Sequence, residues 1–151
     1  MRLAYELARE GYADMPLVEP VEVSLEEWLR EEATLPGGSF AALVEGELVG
    51  YAGLLALGAD PGAAEHGLTV VRRDRRRCGL ATALKRRQLA WAAASGLREL
   101  VTWTQRGNEG MRRVNELLGY RLRSESLTMR GPVASLARPP ASLAAVVPAS
   151  S

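Results

Sequence analysis

The spacing of apolar residues predicts two helices in the first part of the chain. Leu3 and Leu7 share one face of a helix over the first dozen residues, and Gly11 is expected to end it. Ser24 and Glu27 stand at the spacing of a capping box, which opens a second helix. The stripe that this helix buries is predicted to consist of Leu25, Trp28 and Leu29.

The rest of the pattern alternates strands with helices. An apolar run over residues 40–44 turns at 45–47 into a return strand over 48–57, as in a β-hairpin. After it we expect, in order, a strand over 65–71, a helix over 79–95, a strand over 100–104, a helix from Asn108 to Gly119, and one or two strands over 120–129. This order predicts a sheet with helices packed against it.

Composition divides the chain into a domain and a tail. A sequence of 151 residues with 47% hydrophobic content is long enough for one ordinary core, which we assign to residues 1–130. Residues 131–151 are rich in Ala, Ser and Pro and carry one charge, at Arg138. Such a composition cannot build a core, so the tail is predicted to be disordered.

Charge and rare residues exclude several classes of function. The net charge of +1 argues against a nucleic-acid-binding surface. One cysteine, Cys78, excludes an internal disulfide, and one histidine, His66, argues against a metal site. The sequence contains neither an apolar run that would span a bilayer nor a signal-peptide core. We therefore expect a cytoplasmic protein without a metal, a membrane or a nucleic acid as partner.

The segment RRRCGLATALK, residues 75–85, indicates an anion site. Arg76, Gly79 and Ala81 stand at Arg-x-x-Gly-x-Ala spacing on a strand-to-helix turn, where backbone N–H groups lack partners. Gly79 has no side chain that would hold a phosphate away from the backbone, and the small side chain of Ala81 lets a ligand lie across the first helical turn. The arginines that surround the loop are Arg72, Arg73, Arg75, Arg76 and Arg77. On this segment alone, a solvated arginine-rich turn remains an alternative to a pyrophosphate site.

The whole pattern resembles the GNAT family of N-acetyltransferases from Arg2 to about Val133. The resemblance is carried by the turn at Arg76, then Trp103, then Asn108 with Met111, then VNELLGYR at 114–121. These last pieces are similar to the mycothiol-synthase-like subgroup. The resemblance implies an α/β (α+β) fold with a central mixed, mostly antiparallel sheet flanked by helices. It also implies binding of acetyl-CoA.

The resemblance further implies which residues contact the cofactor. The end of the strand before the turn would splay from its neighbour and pair with the pantetheine arm. Asn108 would contact the cofactor across the cleft, although a helix N-cap would also explain this residue. The implied contacts are Thr69, Val70, Val71, Arg76, Arg77, Cys78, Gly79, Leu80, Ala81, Thr82 and Asn108.

Acetyl transfer to an amine needs a group that accepts the amine's proton. Glu65 is the candidate general base, because it lies eleven residues before Arg76, as in the histone-acetyltransferase branch. Strict strand alternation would place Glu65 on one face with Thr69 and Val71, and His66 on the other. A solvated strand-end glutamate remains an alternative. Asn115 occupies the position at which many family members have a tyrosine as the general acid, so the sequence does not identify the general acid.

The predicted function is transfer of an acetyl group from acetyl-CoA to an amine of a small molecule or peptide. The alternative is a non-catalytic CoA-binding or regulatory module. The family normally opens with a strand, yet this sequence opens in a helix, and a sheet edge left uncovered would favour a homodimer. Arg77 and Arg73 also stand where a glycine and a proline are common in the family.

Overall fold

The computed structural model describes residues 2–15, 22–32, 34–58 and 60–126. The chain divides into two units, 1–121 and 122–151, and the regular elements belong to the first. The helices are α1 (Arg2–Ala13), α2 (Leu25–Glu31), α3 (Leu80–Ala94) and α4 (Glu109–Leu117). The strands are β1 (Phe40–Val44), β2 (Glu47–Ala56), β3 (Ala63–Val71) and β4 (Glu99–Thr102).

The four strands form one mixed sheet in the order β1-β2-β3-β4. The pairs β1–β2 and β2–β3 are antiparallel, and β3–β4 is parallel. Helices α1 and α2 pack on one face, in a core with Leu7, Trp28 and Tyr51, and α3 covers the other face through Leu84. This confirms the expected α+β architecture with a mostly antiparallel sheet between helices.

The end of the predicted pattern differs from the structure. Residues 120–126, where the pattern predicts a strand, contain no regular structure. Residues 127–129 and the predicted tail over 131–151 lie outside the described residues.

Helix α1 differs from the predicted helix in its buried face and in its end. Leu3 is 70% exposed, and the residues that face the core are Ala4, Leu7 and Ala8. Gly11 does not end the helix, which continues to Ala13. A Cβ at Gly11 would lie 2.8 Å from Cγ2 of Val70, so this glycine lets α1 contact β3. In α2, Trp28 is buried as predicted, but Leu29 is exposed.

A β-bulge in β3 reverses the alternation of its side chains. Ala52 of β2 pairs with Thr69, whereas Leu54 pairs with His66, so β3 contains one extra residue in this interval. A bulge of this kind moves the following side chains to the other face. The expectation that Glu65 shares a face with Thr69 and Val71 is therefore wrong. Glu65 lies opposite Leu55 on the α1/α2 face, while Thr69 lies on the α3 face.

Candidate active site

A cavity of about 540 Å³ opens between β3, the turn that follows it, and the first turn of α4. It contains every predicted cofactor-binding residue except Cys78, and Glu65 is not part of its lining. The lining residues are Gly11, Asp14, Met15, Leu68, Thr69, Val70, Val71, Arg75, Arg76, Arg77, Gly79, Leu80, Ala81, Thr82, Gly107, Asn108, Gly110, Met111 and Val114. The predicted strand, turn and helix therefore meet at one cavity, and their contact with a cofactor stays a prediction.

The cavity exists because two neighbouring strands separate. The parallel ladder between β3 and β4 begins at Ala63–Glu99 and ends at His66–Thr102. Beyond His66, β3 continues to Val71 without β4 beside it. The edge of β3 over residues 68–71 therefore faces the cavity with backbone groups that another extended chain can pair with. We call this opening the β3–β4 fork.

The turn after β3 has the backbone geometry of an anion cradle. Arg77 and Gly79 both adopt positive φ, at 61° and 81°. The first hydrogen bond of α3 runs from the Ala83 N–H to the Gly79 carbonyl, at 2.9 Å. The N–H groups of the three residues before Ala83 consequently lie outside the helical ladder and point out of the helix N-terminus. A Cβ at Gly79 would meet nothing within 4 Å, so the space over the turn is open.

The arginines of the turn mostly bind acidic residues of the protein itself. Arg73 and Arg76 each bring Nη2 within 2.7 Å of an Asp14 carboxylate oxygen on the segment after α1. The hydrogen bonds from Arg73 and Arg76 lower the pKa of Asp14 to about 2. Arg76 also donates from Nε to the Val71 carbonyl, at 2.9 Å. These side chains attach α1 to the turn, which leaves the main-chain amides as the principal anion donors.

Asn108 and Cys78 flank this cleft. Asn108 caps α4, because its Oδ1 accepts a hydrogen bond from the Met111 N–H at 3.2 Å, and it also lines the cavity. Cys78 is exposed, and its thiol donates weakly to the Arg76 carbonyl at 3.4 Å. The N-cap prediction for Asn108 is confirmed, and contact of either residue with a cofactor stays a prediction.

On the α3 face, His66 belongs to a buried polar network. Its Nδ1 lies 2.9 Å from Oε1 of Gln88, and its Nε2 is hydrogen-bonded to the Tyr120 hydroxyl. Burial and then the nearby Lys85 charge lower the pKa of His66 to about 3, so the ring is neutral at pH 7. With Nδ1 donating to Gln88, Nε2 accepts from Tyr120. His66 is therefore a buried residue whose two ring nitrogens both have hydrogen-bond partners.

Lys85 in the same network was not recognised from the sequence as buried. Only 1% of it is exposed, and its Nζ lies 3.4 Å from Thr102 Oγ1 and 5.5 Å from the centre of the Tyr120 ring. Burial lowers the pKa of Lys85 to about 8. Asn115, which occupies the position of the family's tyrosine, is also buried and donates from Nδ2 to Thr104 Oγ1 at 3.0 Å.

Glu32, at the end of α2, is the acidic residue that the sequence analysis missed. It is 7% exposed, and its Oε1 accepts a hydrogen bond of 2.6 Å from the Leu68 N–H at the β3 bulge. Burial raises the pKa of Glu32 to about 7. Its burial could have been predicted, because Glu32 stands four residues after Trp28 and so on the buried side of the helix. Instead, the acidic residues around it favoured the interpretation of an exposed segment.

Comparison with known proteins identifies the family. A model of the Acetyltransferase (GNAT) family matches residues 2–120. The chain belongs to the GNAT acetyltransferase family. No curated protein matches this GNAT chain at a significant level. The matches described below carry no indication of the mycothiol-synthase-like subgroup, so that finer resemblance stays a prediction.

Solved structures support the GNAT fold. The ribosomal-protein-S18-alanine N-acetyltransferase of Escherichia coli has a TM-score of 0.64 at 18% identity, over 81% of this chain and 73% of its own. The diaminobutyrate acetyltransferase of Paenibacillus lautus, in complex with L-2,4-diaminobutyric acid and coenzyme A, has a TM-score of 0.59 at 22% identity, over 79% of this chain and 67% of its own. The ribosomal-protein-alanine N-acetyltransferase of Brucella melitensis biovar Abortus 2308 has a TM-score of 0.53 at 26% identity, over 62% of this chain and 69% of its own.

None of the helices in the described part of this GNAT chain is both long and apolar enough to cross a bilayer.

Proposed function

We propose that this GNAT protein transfers an acetyl group from acetyl-CoA to a primary amine of a small molecule or a peptide. The observation that carries the proposal is the β3–β4 fork ending at the turn over residues 76–82. The fork offers an unpaired strand edge, and the turn offers amides for an anion, in the order in which a pantetheine arm and a pyrophosphate follow one another. The match of the GNAT family model to residues 2–120 supports the same chemistry.

The residues present fit a CoA molecule along this cleft. The edge of β3 over Thr69, Val70 and Val71 would pair with the amides of the pantetheine arm. The pyrophosphate would lie over the amides of Gly79 to Thr82, where the glycine leaves open space. Arg77 and Cys78 on the loop, and Asn108 across the cleft, complete the proposed contacts. When bound, acetyl-CoA supplies the activated acetyl group.

The acceptor would approach from the α1/α2 face. Glu65, the candidate base from the sequence, is half-buried on that face. Two of the similar structures are named for acetylation of an alanine of a ribosomal protein, and one contains L-2,4-diaminobutyric acid. These acceptors share a primary amine, which is the substrate class proposed here. A homodimer and a cytoplasmic location are proposed with it and are not needed by the chemistry.

A non-catalytic CoA-binding module is the second candidate. Asn115 favours it, because this residue replaces the tyrosine that supplies a general acid in many members and its amide is already hydrogen-bonded to Thr104. The two candidates share the cofactor cleft and differ in turnover. An assay of CoA release in the presence of amines therefore separates them.

The cofactor cleft is tested first, with two glycine variants of equal backbone strain. Gly79→Ala places a methyl group over the turn, and we expect acetyl-CoA affinity, measured by isothermal titration calorimetry, to fall about tenfold or more. Gly46→Ala is the matched control, because Gly46 has φ 83° in the β1–β2 turn and also meets nothing within 4 Å. Equal affinity in the two variants would contradict the proposed position of the pyrophosphate.

Turnover is tested with the wild-type chain and acetyl-CoA. L-2,4-diaminobutyric acid, a peptide with an N-terminal alanine, and putrescine serve as acceptors, and both free CoA and the acetylated amine are quantified by chromatography. We expect release above the rate without acceptor for at least one of them. Tight acetyl-CoA binding without release for any acceptor would favour the non-catalytic module.

A further inference from the structure

The Glu32 carboxylate lies in a space that two glycines leave open. A Cβ at Gly53 of β2 would lie 2.6 Å from Glu32 Oε1, and one at Gly67 of β3 would overlap the same oxygen. The carboxylate therefore occupies the place where side chains of two adjacent strands would otherwise stand. Its Oε1 is held there by the Leu68 N–H at the bulge. The two strands thus have glycines at the positions where the carboxylate at the end of α2 needs space.

This place lies on the α1/α2 face of β2 and β3, next to the closed end of the β3–β4 fork. The pyrophosphate turn follows Val71, so a chain bound along β3 runs from the turn back towards Leu68. The ladder with β4 closes at His66, two residues before Leu68. The acyl end of a bound thioester would consequently reach the strand at the residue whose N–H contacts Glu32. Leu68 lines the cavity and so connects the two sites.

Among the described residues, the surroundings of Glu32 contain unsatisfied polar atoms and no cation paired with its carboxylate. Within the described residues, the Tyr51 hydroxyl and the Trp28 Nε1 are buried without a hydrogen-bond partner. The Tyr51 hydroxyl would lie 3.0 Å from the same Gly53 Cβ position as the carboxylate. No salt bridge to Glu32 is formed in the described part of the chain. Buried groups of this kind normally find partners, and an incoming ammonium would donate to the Glu32 carboxylate and to the Tyr51 hydroxyl oxygen, although not to the Trp28 N–H, which is itself a donor.

We propose that Glu32 accepts the proton of the acceptor ammonium at the β3–β4 fork. The inference rests on the proposed acetyl transfer and adds the residue that starts it. The Glu32 carboxylate takes one proton from the ammonium, and the freed nitrogen lone pair attacks the thioester carbonyl carbon. The N–C bond forms as the C–S bond breaks, and the sulfur leaves with the electron pair. The second proton lost by the nitrogen neutralises the thiolate, while Glu32 returns its own proton to water.

Electrostatics agree with this role. Burial raises the pKa of Glu32 to about 7, whereas the Leu68 N–H opposes the rise. Tyr12 on α1 and Tyr51 on β2 interact electrostatically with Glu32, and both have raised pKa values and remain neutral at pH 7. Glu65 of β3 lies on the same face of the sheet. A base whose pKa lies near the working pH is efficient in proton transfer. Activity should therefore rise with pH as Glu32 loses its proton, through a limb near pH 7.

The test compares Glu32→Gln with Glu31→Gln, its exposed neighbour on α2. Acetyl-CoA affinity should be unchanged in both, because Glu32 does not line the cavity. With the acceptor that the wild type uses, Glu32→Gln should lower kcat/KM about 10²- to 10⁴-fold, and Glu31→Gln should leave it unchanged. Glu32→Asp, which restores a carboxylate one methylene shorter, should recover part of the rate.

The pH profile distinguishes a proton acceptor from a structural acid. The wild type should show the limb near pH 7 in kcat/KM, and Glu32→Gln should lack it; this limb is measurable in the wild type even if the variant fails to fold. Absence of the limb in the wild type, or its persistence in Glu32→Gln, would overturn the assignment. Loss of the limb in Glu65→Gln alone would assign the proton to Glu65 instead. Failure of the wild type to acetylate any acceptor would overturn the proposed function itself.

Discussion

At the scale of single residues, the cofactor turn depends on backbone conformation more than on charge. Arg77 adopts φ 61°, a left-handed conformation that glycine tolerates and an L side chain rarely adopts. This is the position where the family commonly has glycine, so the chain keeps the backbone path and accepts the strain. Arg77 in return adds a positively charged residue to the lining of the cavity. Strain and charge at this residue are separable by substitution.

We expect Arg77→Gly and Arg77→Ala to weaken acetyl-CoA binding equally, by about 2–5-fold, because both remove the same exposed charge. The two variants should differ in stability, since only glycine relieves the left-handed strain. Relief of about 1–2 kcal/mol, partly offset by the entropy of glycine, should leave Arg77→Gly about 0.5–1 kcal/mol more stable than Arg77→Ala. Denaturant unfolding and calorimetric titration measure the two effects. Equal stability of the variants would show that the loop relaxes around Arg77.

At the scale of elements, the contact between α1 and β3 depends on one glycine. Gly11→Ala would place its Cβ 2.8 Å from Val70 Cγ2, closer than packed atoms tolerate. We expect a loss of about 1–3 kcal/mol in unfolding free energy. The same variant should weaken acetyl-CoA binding, because Val70 lines the cavity and would have to move.

Gly110→Ala is the comparison for this prediction. Gly110 lies in α4 and has open space around it, so alanine should stabilise the protein by up to about 1 kcal/mol through helix propensity. Urea unfolding of the two variants gives the contrast. A stabilising Gly11→Ala would mean that helix propensity outweighs the contact with Val70.

The same elements show what could be predicted from the sequence. Local signals were sufficient where neighbouring residues determine the structure: the capping box of Ser24 and Glu27 is present, and Asn108 caps α4. The bulge in β3 depends on how β2 pairs with it, and no local pattern marks it. Strict alternation therefore placed Glu65 on the wrong face of the sheet. The depth of Glu32 likewise depends on two distant glycines, which a local pattern does not associate with α2.

At the scale of the whole molecule, the sheet separates two buried titratable groups with opposite effects on stability. On the α1/α2 face, the pKa of Glu32 is raised from 4.5 to about 7 by burial. Glu32 therefore stabilises the fold below pH 4.5, and this contribution is lost as the pH rises to about 7. On the α3 face, the pKa of His66 is lowered from 6.5 to about 3. His66 stabilises the fold above pH 6.5, and its contribution is lost as the pH falls towards 3.

The two dependences oppose each other between pH 4.5 and 6.5, so a variant is needed to separate them. Glu32→Gln removes only the contribution that falls with rising pH. Its unfolding free energy relative to the wild type should therefore increase by up to about 3 kcal/mol between pH 4.5 and pH 7 and stay level above that. Urea unfolding of both proteins at half-unit pH intervals measures this difference. For the control Glu31→Gln, which removes an exposed charge on the same helix, the difference in unfolding free energy from the wild type should hardly change with pH. A flat difference for Glu32→Gln would show that the carboxylate is hydrated in the folded protein, and the proton acceptor at the fork would then lack the environment that places its titration near pH 7.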